Sequence, residues 1–434
     1  MRRDDNQSAE ESGNATRIHG SVSKQPRLFY GYIIVIVSFI LMMFGWGIYY
    51  IYGVFFGPLE VEFHWTRAVT SGAFSLSVLI SGLSGIIAGR LSDRIGPRAV
   101  IMFCAVFLAL GYSLMFLVKE LWQFYLFYGL FIATGVGGFW APPVSTVARW
   151  FIGRRGFMTG IVSGGISFGT LVLPPAVTAL IAAYGWRTAY LIIGIAILVI
   201  VILLVRFLRH SPERVGLTPY TSKPVSRINP NPVDTGFSFK EALRTPQFWM
   251  VAFIYLCFGA AQLTVMVHIV PHAVGLGYSP ISAAVVLSII GGVSLLGRIV
   301  LGSLADHMRV KISTLVGLSM LAVSLVFLQF SQNLWQLYIF GVIFGFGYGG
   351  LSCLQSLIGA ELFGLGSLGV ITAVFSFCFD IGGASGPVLA GYIYDLSRDY
   401  HWAFMVMIFL ILLALIIGFY LKPPRKNRID SSTS

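Results

Sequence analysis

Two ionisable side chains, Arg298 and Asp380, stand deep inside apolar stretches of this 434-residue sequence. Placing a charge in hydrocarbon costs about 2.5–3.5 kcal/mol on insertion scales, so such residues usually serve a function. A guanidinium presents five donors in a planar fork that matches a carboxylate, which a lysine cannot reproduce. Because no acid lies three or four positions from Arg298, we expect it to bind the carboxylate of a substrate. The alternatives are snorkelling to lipid headgroups and a fixed pair with Asp380.

Asp380 is the candidate proton-coupling group. Burial favours the neutral form of a carboxyl group, so a buried aspartate can take up a proton near neutral pH. Moving one anionic charge into a cell against 100 mV, negative inside, costs about 2.3 kcal/mol, and a proton carried with a singly charged anion removes this cost. The alternatives are a permanently ionised partner for Arg298 and a packing role. His268 is a second candidate for a gating or proton role, although a lone histidine is more often structural.

Four uncharged polar side chains are candidates for substrate contact: Tyr49, Tyr50, Gln262 and Ser294. The two tyrosines belong to an aromatic run that is more polar than the sequence around it, and their hydroxyl groups can form hydrogen bonds. The alternative for such a run is an aromatic belt at the membrane interface. Ser294 precedes Arg298 by one helical turn, and its small side chain leaves room beside the guanidinium.

The elements that carry these residues are those of an integral membrane protein. Hydrophobic residues make up 56% of the chain and charged residues 11%, and the mean hydropathy is +0.83, which is more apolar surface than a soluble domain can bury. A spanning helix needs roughly 20 apolar residues, and this criterion predicts twelve spans. They are 31–56, 69–89, 98–118, 122–146, 157–183, 187–207, 247–271, 281–303, 311–331, 335–359, 368–393 and 401–421. The expected fold class is all-α integral membrane, with twelve transmembrane helices in two pseudo-symmetric six-helix halves.

Lysine and arginine placement predicts that both termini are cytoplasmic. Of the 29 such residues, only Arg67, Lys119, Arg187 and Arg398 lie in loops on the other side, and Arg298 lies within a span. Because cytoplasmic loops are enriched in basic residues, the net charge of +12 reflects topology and contact with anionic lipid, not nucleic-acid binding. The expected segments are an N-terminal tail over 1–30, a six-helix half over 31–207, a proline-rich linker over 208–246, a second half over 247–421 and a tail over 422–434.

The two halves weakly repeat one another. Gly89-Arg90-Leu91-Ser92-Asp93 is matched 213 residues later by Gly302-Ser303-Leu304-Ala305-Asp306, and parallel repeats occur in a large class of transporters. The first copy, continued to Arg98, resembles the loop 2–3 signature of the major facilitator superfamily. We expect a conformational latch on the cytoplasmic side that includes Gly89, Asp93, Arg94, Gly96, Arg98 and Asp306. A helix N-terminus would stabilise Asp93 through the macrodipole; the alternative is a generic basic loop.

A narrower resemblance is carried by Arg149-Trp150-Phe151-Ile152-Gly153-Arg154-Arg155-Gly156 and by Gly386-Pro387-Val388-Leu389-Ala390-Gly391. These segments are similar to the span 4–5 signature and the span 11–12 junction of monocarboxylate transporters. Arg298 falls where that family, and the related oxalate/formate antiporters, carry a substrate-binding arginine. The chain departs from the family at two positions: Ser294 stands where an aspartate is usual, and Tyr50 stands where several members have a lysine.

The resemblance implies a secondary transporter that moves a small organic anion, with monocarboxylates as the first expectation, by alternating access and with proton coupling. The expected partners are the anion, a proton and the lipid bilayer, with a monomer in the plasma membrane or bacterial inner membrane. No nucleic-acid partner, cofactor or metal is expected, and the four cysteines show no ligand spacing. The alternatives are dicarboxylate exchange, efflux of a metabolite or drug and, in another class, a non-transporting membrane sensor.

No enzymatic activity is expected. Residues 165–169 fit the letters of a hydrolase nucleophile elbow, but that motif requires a strand–turn–helix and here falls within a predicted span. The glycines of 345–350 fit a dinucleotide fingerprint by letters only, since they open no strand–helix unit. A phosphate-binding loop of the form G-x-x-x-x-G-K-[ST] is absent from the sequence, which argues against a primary pump.

Overall fold

The computed structural model describes residues 29–152, 154–212, 220, 236–364 and 366–424, and leaves the side chains of positions 155 and 306 undescribed. Within these residues, eleven continuous helical stretches are long and apolar enough to cross a membrane. One of them, Gly156–Val205, consists of two helices, because Gly185 inside it has a left-handed backbone with φ of 78°. The expected all-α fold with twelve spans is therefore confirmed.

The twelve helices are labelled in chain order. The first half contains α1 (Tyr30–Phe63), α2 (Arg67–Ile95), α3 (Pro97–Leu117), α4 (Leu121–Trp150), α5 (155–184) and α6 (186–205). The second half contains α7 (Pro246–Gly275), α8 (Pro280–His307), α9 (Val310–Gln329), α10 (Leu334–Phe363), α11 (Leu368–Ser397) and α12 (His401–Tyr420). The side of the bundle where α1 begins and α12 ends is called the terminal side, and the other is called the distal side.

Most of the two expected tails and of the expected linker lies outside the described residues. One described point of the linker, Tyr220, lies against the first half. Its backbone N–H donates to the carbonyl of Trp150 at 2.9 Å, and its ring packs against Phe29 and Phe151 with centroids 5.7 and 5.8 Å apart. A short helix that the sequence did not predict, Phe239–Leu243, precedes α7 and begins with a capping box at Ser238.

Several helices extend beyond the predicted spans. α2 runs from Arg67 to Ile95, whereas the apolar pattern predicted 69–89, because hydropathy measures only the part in hydrocarbon while backbone hydrogen bonding continues beyond it. The expectation that Gly89 to Asp93 form a loop is therefore wrong, since these residues are the last turns of α2. Asp93 accordingly lies near a helix C-terminus, and its side chain contacts Arg149 instead of a helix N-terminus.

Two stretches of π-helix interrupt the first half, Met43–Gly47 in α1 and Tyr125–Ile132 in α4. A π-turn inserts an extra residue and changes the direction of the side chains that follow, and such turns are frequent at functional sites. In α1 the π-turn begins three residues before Trp46 and ends just ahead of Tyr49 and Tyr50. It therefore contributes to the direction in which these aromatic side chains point.

Three helix pairs join the halves: α2 with α11, α5 with α8, and the second part of α1 with α7. A Cβ on Gly391 of α11 would lie 2.7 Å from the backbone nitrogen of Ala68 at the start of α2. A Cβ on Gly291 of α8 would likewise lie 2.7 Å from Thr170 of α5. The halves thus meet backbone to backbone, which is how helices pack closely in lipid, where no hydrophobic effect drives them together.

Candidate substrate cavity

A cavity of about 540 Å³ lies between the two halves, with walls from α1, α2, α4 and α5 on one side and from α11 on the other. It extends to Gly89 and Gly369, which lie near the terminal-side ends of α2 and α11. Small residues form much of the wall of α2. The aromatic lining residues are Trp46, Tyr50, Trp140, Phe377 and Phe379. Apolar walls with a few polar groups are typical of small-molecule sites of this size.

Asp380 is the only charged residue among the described residues that line this cavity. It lies near the middle of α11, and its carboxylate sits against α2, where a Cβ on Gly82 would approach Oδ2 to 2.7 Å. The carboxylate fits beside α2 only because position 82 has no side chain. In the part of the chain that the structure describes, Asp380 takes part in no ion pair within 4.0 Å. Its negative charge is therefore available to a proton or to a cationic group.

Trp46 and Tyr50 lie one turn apart on α1 and line the cavity together, with ring centroids 5.8 Å apart. The indole N–H of Trp46 is buried and has no hydrogen-bond partner. Leaving a buried donor unpaired costs about 1–3 kcal/mol, and a ligand acceptor in the cavity would remove that cost. The sequence analysis did not identify Trp46 as a binding residue, although its spacing of four from Tyr50 places both on one helix face.

Tyr49 points into the first half and does not line the cavity. Its hydroxyl lies 2.7 Å from Ser77 Oγ, and its ring stacks on Phe74 at a centroid distance of 5.1 Å. The side chain is buried with 1% of its surface exposed. These contacts satisfy its hydroxyl within the protein, so of the two adjacent tyrosines Tyr50 is the one that faces the cavity.

Arg298 lies on α8, one turn beyond the point where this helix contacts α5. There Ser294 Oγ lies 2.8 Å from Ser167 Oγ and donates to the carbonyl of Gly291 at 2.6 Å. The Nε atom of Arg298 is buried without a hydrogen-bond partner, and among the described residues no carboxylate lies within 4.0 Å of the guanidinium. Arg298 is not one of the residues that line the cavity.

Gln262 and His268 lie inside α7 and do not line the cavity. Gln262 is 1% exposed, and its Oε1 atom has no hydrogen-bond partner. His268 has both ring nitrogens engaged: Nε2 lies 2.9 Å from the carbonyl of Pro387 and Nδ1 lies 2.9 Å from the Tyr400 hydroxyl. Because a carbonyl only accepts, Nε2 carries the proton, and a neutral ring satisfies both contacts. Nε2 also lies 3.2 Å from Ser71 Oγ of α2, which makes His268 part of the contact between the halves.

On the distal side, a cluster centred on Asp395 joins α11 to α2. Its two carboxylate oxygens accept from the backbone N–H groups of Arg67 and Ala68 at the start of α2, each at 2.9 Å. A carboxylate at a helix N-terminus pairs free donors and complements the helix dipole. The Arg67 side chain binds Glu60 at 3.0 Å and lies 3.6 Å from the centre of the Tyr394 ring. We call Arg67, Ala68 and Asp395 the distal clamp.

The latch residues of the first half form contacts on the terminal side within that half. Asp93 Oδ1 accepts from Arg149 of α4 at 2.6 Å, and Arg149 also lies 2.8 Å from a ring nitrogen of His210. Arg98 of α3 donates to the backbone carbonyls of Arg206, at 2.6 Å, and of Leu208. Gly96 separates α2 from α3 with φ of 91°, and Gly89 lines the cavity. Arg94 is exposed, and the Asp306 side chain lies outside what the structure describes.

The structure therefore places Tyr50 and Asp380 in one cavity. Ser294 lies at the contact between α5 and α8, and Arg298 follows it one turn further along α8. Tyr49, Gln262 and His268 are buried elsewhere. Sequence reasoning missed two features, the unpaired donor of Trp46 and the distal clamp. Asp395 stands 327 positions after Ala68, so nothing in the local sequence indicates that they pair.

The sequence matches one family model and is similar to several named transporters. Residues 35–387 match the family model described as the Major Facilitator Superfamily. Monocarboxylate transporter 13 of Rattus norvegicus is 25% identical over 381 residues, which cover 87% of this chain and 85% of the relative. Monocarboxylate transporter 11 of Homo sapiens is 26% identical over 411 residues, which cover 91% of this chain and 83% of the relative.

A bacterial relative and a solved structure extend the comparison. The uncharacterized MFS-type transporter YhjX of Escherichia coli is 27% identical over 359 residues, which cover 80% of this chain and 85% of the relative. The fold is similar to that of a bacterial homolog of the human lysosomal transporter Spinster, in an inward-facing and unoccupied conformation. The TM-score is 0.73 at 15% identity, and the match covers 90% of this chain and 97% of that one.

Proposed function

Because the chain belongs to the Major Facilitator Superfamily, it is a transporter and not an enzyme, and we propose that it moves small organic anions, above all monocarboxylates. Transport takes place by alternating access of a site between the two halves and is coupled to protons. Relatives at 25% and 26% identity that are named monocarboxylate transporters support this substrate class.

The observation that carries the proposal concerns the half-buried guanidinium of Arg298. Its Nε atom is buried without a hydrogen-bond partner, and a carboxylate that accepts from it would remove the cost of this unpaired donor. A carboxylate can accept two parallel hydrogen bonds from the guanidinium fork. Ser294, one turn before Arg298, is small and uncharged and leaves the cation without an acidic partner at that position. The indole of Trp46 and the hydroxyl of Tyr50 supply further donors for an anionic group.

Asp380 is proposed to carry the coupled proton. It is the one charge among the described cavity-lining residues, and a protonated carboxyl group would let a monocarboxylate and a proton cross together without net charge. The membrane potential then does not oppose uptake of the anion. Tyr50 is the other titratable residue in the described lining, and its hydroxyl group can donate a hydrogen bond.

The cavity is proposed to be open to the cytoplasm in this conformation. The distal clamp holds α2 against α11 on the far side, and the cavity reaches Gly89 and Gly369 near the terminal-side ends of the same two helices. With cytoplasmic termini, this is the inward-open state of a monomer in the plasma membrane or bacterial inner membrane. Release of the distal clamp and closure of the terminal side would produce the outward-open state.

The test is transport by the purified chain in proteoliposomes. Radiolabelled lactate, pyruvate, acetate, oxalate and formate are supplied with and without an inward proton gradient. We expect monocarboxylates to accumulate with the gradient, and Asp380→Asn to abolish accumulation while retaining exchange of carboxylate across the membrane. Asp399→Asn is the matched control, since it makes the same chemical change at an exposed aspartate on the distal side.

The proton-coupling role of Asp380 and the organic-anion assignment can each be refuted separately. If Asp380→Asn still accumulates carboxylate against a gradient driven by protons, Asp380 is not the coupling group. If no carboxylate is transported by the wild-type chain, or if Arg298→Ala transports carboxylates with normal affinity after reaching the membrane, the organic-anion assignment itself is wrong.

A further inference from the structure

Gly82 of α2 leaves room for one carboxyl group of the other half. A Cβ at this position would lie 2.7 Å from Oδ2 of Asp380 and 3.5 Å from its Cγ. Its own turn of helix aside, this Cβ would meet no other described atom within 4 Å. Both residues line the cavity between the halves. The space at position 82 is thus occupied by the end of the Asp380 side chain alone.

Other glycines at contacts between the halves make room for backbone instead. A Cβ on Gly53 of α1 would lie 2.7 Å from the carbonyl oxygen of Met266 in α7. A Cβ on Gly391 of α11 would lie 2.7 Å from the backbone nitrogen of Ala68. Such glycines let helix backbones approach closely in lipid. A Cβ on Gly82 would meet no described backbone of the other half, so helix packing does not account for a glycine at this position.

The contact has a consequence for the charge of Asp380. In the part of the chain that the structure describes, Asp380 forms no ion pair within 4.0 Å, and the only other titratable residue in the described lining is Tyr50. Burying a charged group without a partner costs far more than burying a neutral one. Closure of α2 and α11 around the carboxyl group is therefore much less costly when a proton has removed its charge.

We propose that Gly82 is a positioning residue of the transport cycle: it lets the Asp380 carboxyl group lie against α2, where protonation of this group controls how closely the two halves approach. The inference rests on the function proposed above, in which Asp380 carries the coupled proton. Gly82 contributes through the absence of a side chain and acts through Asp380. A bulkier residue at position 82 would displace the carboxyl group into the cavity, where water can hydrate its charge. Proton binding would then no longer be linked to closure.

Gly82→Ala tests the position of the carboxyl group directly. The variant should fold, because alanine is favoured over glycine inside a helix by about 1 kcal/mol and the added methyl group meets only the end of a flexible side chain. A water-soluble carbodiimide and an amine nucleophile are added to the full-length protein in nanodiscs, and mass spectrometry measures amide formation at Asp380. We expect this modification to be several-fold faster in Gly82→Ala than in the wild type.

Gly160→Ala is the matched control for this measurement. It makes the same change in α5, at an exposed glycine where a Cβ would meet no described atom within 4 Å. The rate of modification at Asp380 should stay unchanged in this variant. Asp380→Asn removes the carboxyl group and should abolish the modified peptide, which assigns the signal to this residue.

Transport by the same variants tests the link to proton coupling. In proteoliposomes, radiolabelled pyruvate is followed as accumulation driven by an inward proton gradient and as exchange at equal pH on both sides. Gly82→Ala should lower accumulation several-fold more than it lowers exchange, because the two halves can then interconvert without a proton on Asp380. Gly160→Ala should change neither. A glycine needed only for helix packing would affect accumulation and exchange alike.

The outcomes separate this inference from the proposed function. Modification of Asp380 at the wild-type rate in Gly82→Ala would show that Gly82 does not position the carboxyl group, whatever the substrate. Faster modification with normal accumulation, or an equal loss of accumulation and exchange, would refute the link to coupling. Normal accumulation by Asp380→Asn, or no carboxylate transport by the wild type, would refute the proposed function and the coupling role together. The modification rates would then still decide whether Gly82 positions Asp380.

Discussion

At the scale of single residues, the guanidinium of Arg298 offers a planar set of hydrogen-bond donors as well as a positive charge. We predict that Arg298→Lys raises the half-saturating concentration of a carboxylate about tenfold or more, because an ammonium group cannot form the two parallel hydrogen bonds. Arg298→Ala should remove nearly all saturable uptake. Both are measured as initial rates in proteoliposomes against substrate concentration.

The control for this prediction is Arg398→Lys, at an exposed arginine on the distal side. It should leave the half-saturating concentration unchanged. A normal half-saturating concentration for Arg298→Lys would mean that charge alone, without the fork, accounts for binding.

Trp46 gives a second residue-scale prediction. Trp46→Phe keeps an aromatic ring on the cavity wall but removes the buried N–H that has no protein partner. Since removing an unpaired donor relieves a cost in the empty protein and removes a hydrogen bond in the complex, thermal stability should stay equal or rise while substrate affinity falls several-fold. Thermal unfolding with and without substrate measures both quantities. A loss of stability without a loss of affinity would assign Trp46 to packing.

At the scale of helices, α2 carries a different contact at each end. On the terminal side, Asp93 pairs with Arg149 at 2.6 Å within the first half, with 66% of the Asp93 side chain exposed. An exposed ion pair contributes only about 0–1 kcal/mol, so its loss should change the rate of conformational exchange more than the fold. We predict that Asp93→Asn slows transport and leaves substrate affinity nearly unchanged, measured as maximal rate and equilibrium binding.

Asp399→Asn again serves as the control for Asp93→Asn and should slow nothing. If Asp93→Asn instead abolished binding while the two states still exchanged at the normal rate, Asp93 would belong to the substrate site and not to the latch.

The other end of α2 is held by the distal clamp. Asp395→Asn keeps the size of the side chain but replaces a charged acceptor of two backbone N–H groups with a neutral amide that offers one oxygen. We predict a shift of the population toward the state that is open on the distal side. Spin labels at Val61 and Leu396, which are 75% and 71% exposed, should report a longer distance in a cysteine-free background. An unchanged distance distribution would show that the clamp does not control closure.

At the scale of the whole molecule, the orientation of the bundle follows from its basic loops. We predict that a membrane-impermeant maleimide added to intact cells labels Leu396→Cys, on the distal side, and does not label Phe157→Cys, at the start of α5, until the membrane is permeabilised. Both side chains are exposed, at 71% and 66%. The reverse labelling pattern would invert the proposed topology.

The helices and the fold could be predicted from the sequence because the hydropathy of a span depends only on the residues of that span. Arg298 and Asp380 could be selected as candidate site residues because charges inside apolar runs are rare; of the two, Asp380 lines the cavity. Helix ends were less predictable: α2 continues six residues past its expected end at 89, since hydrogen bonding is not limited by hydrocarbon thickness. The clamp at Asp395 and the unpaired donor of Trp46 depend on which helices meet, and single-sequence patterns do not contain that information.

The pairing of α2 with α11 has one more consequence. The two helices have 29 and 30 residues, and at 1.5 Å per residue each is about 45 Å long. The distal clamp joins them at one end, and the cavity separates them toward the other, so in this conformation the pair closes one entrance only. Asp380 lies against Gly82 between those two ends, so the wedge between the helices narrows beyond the one charged side chain in the described lining of the cavity.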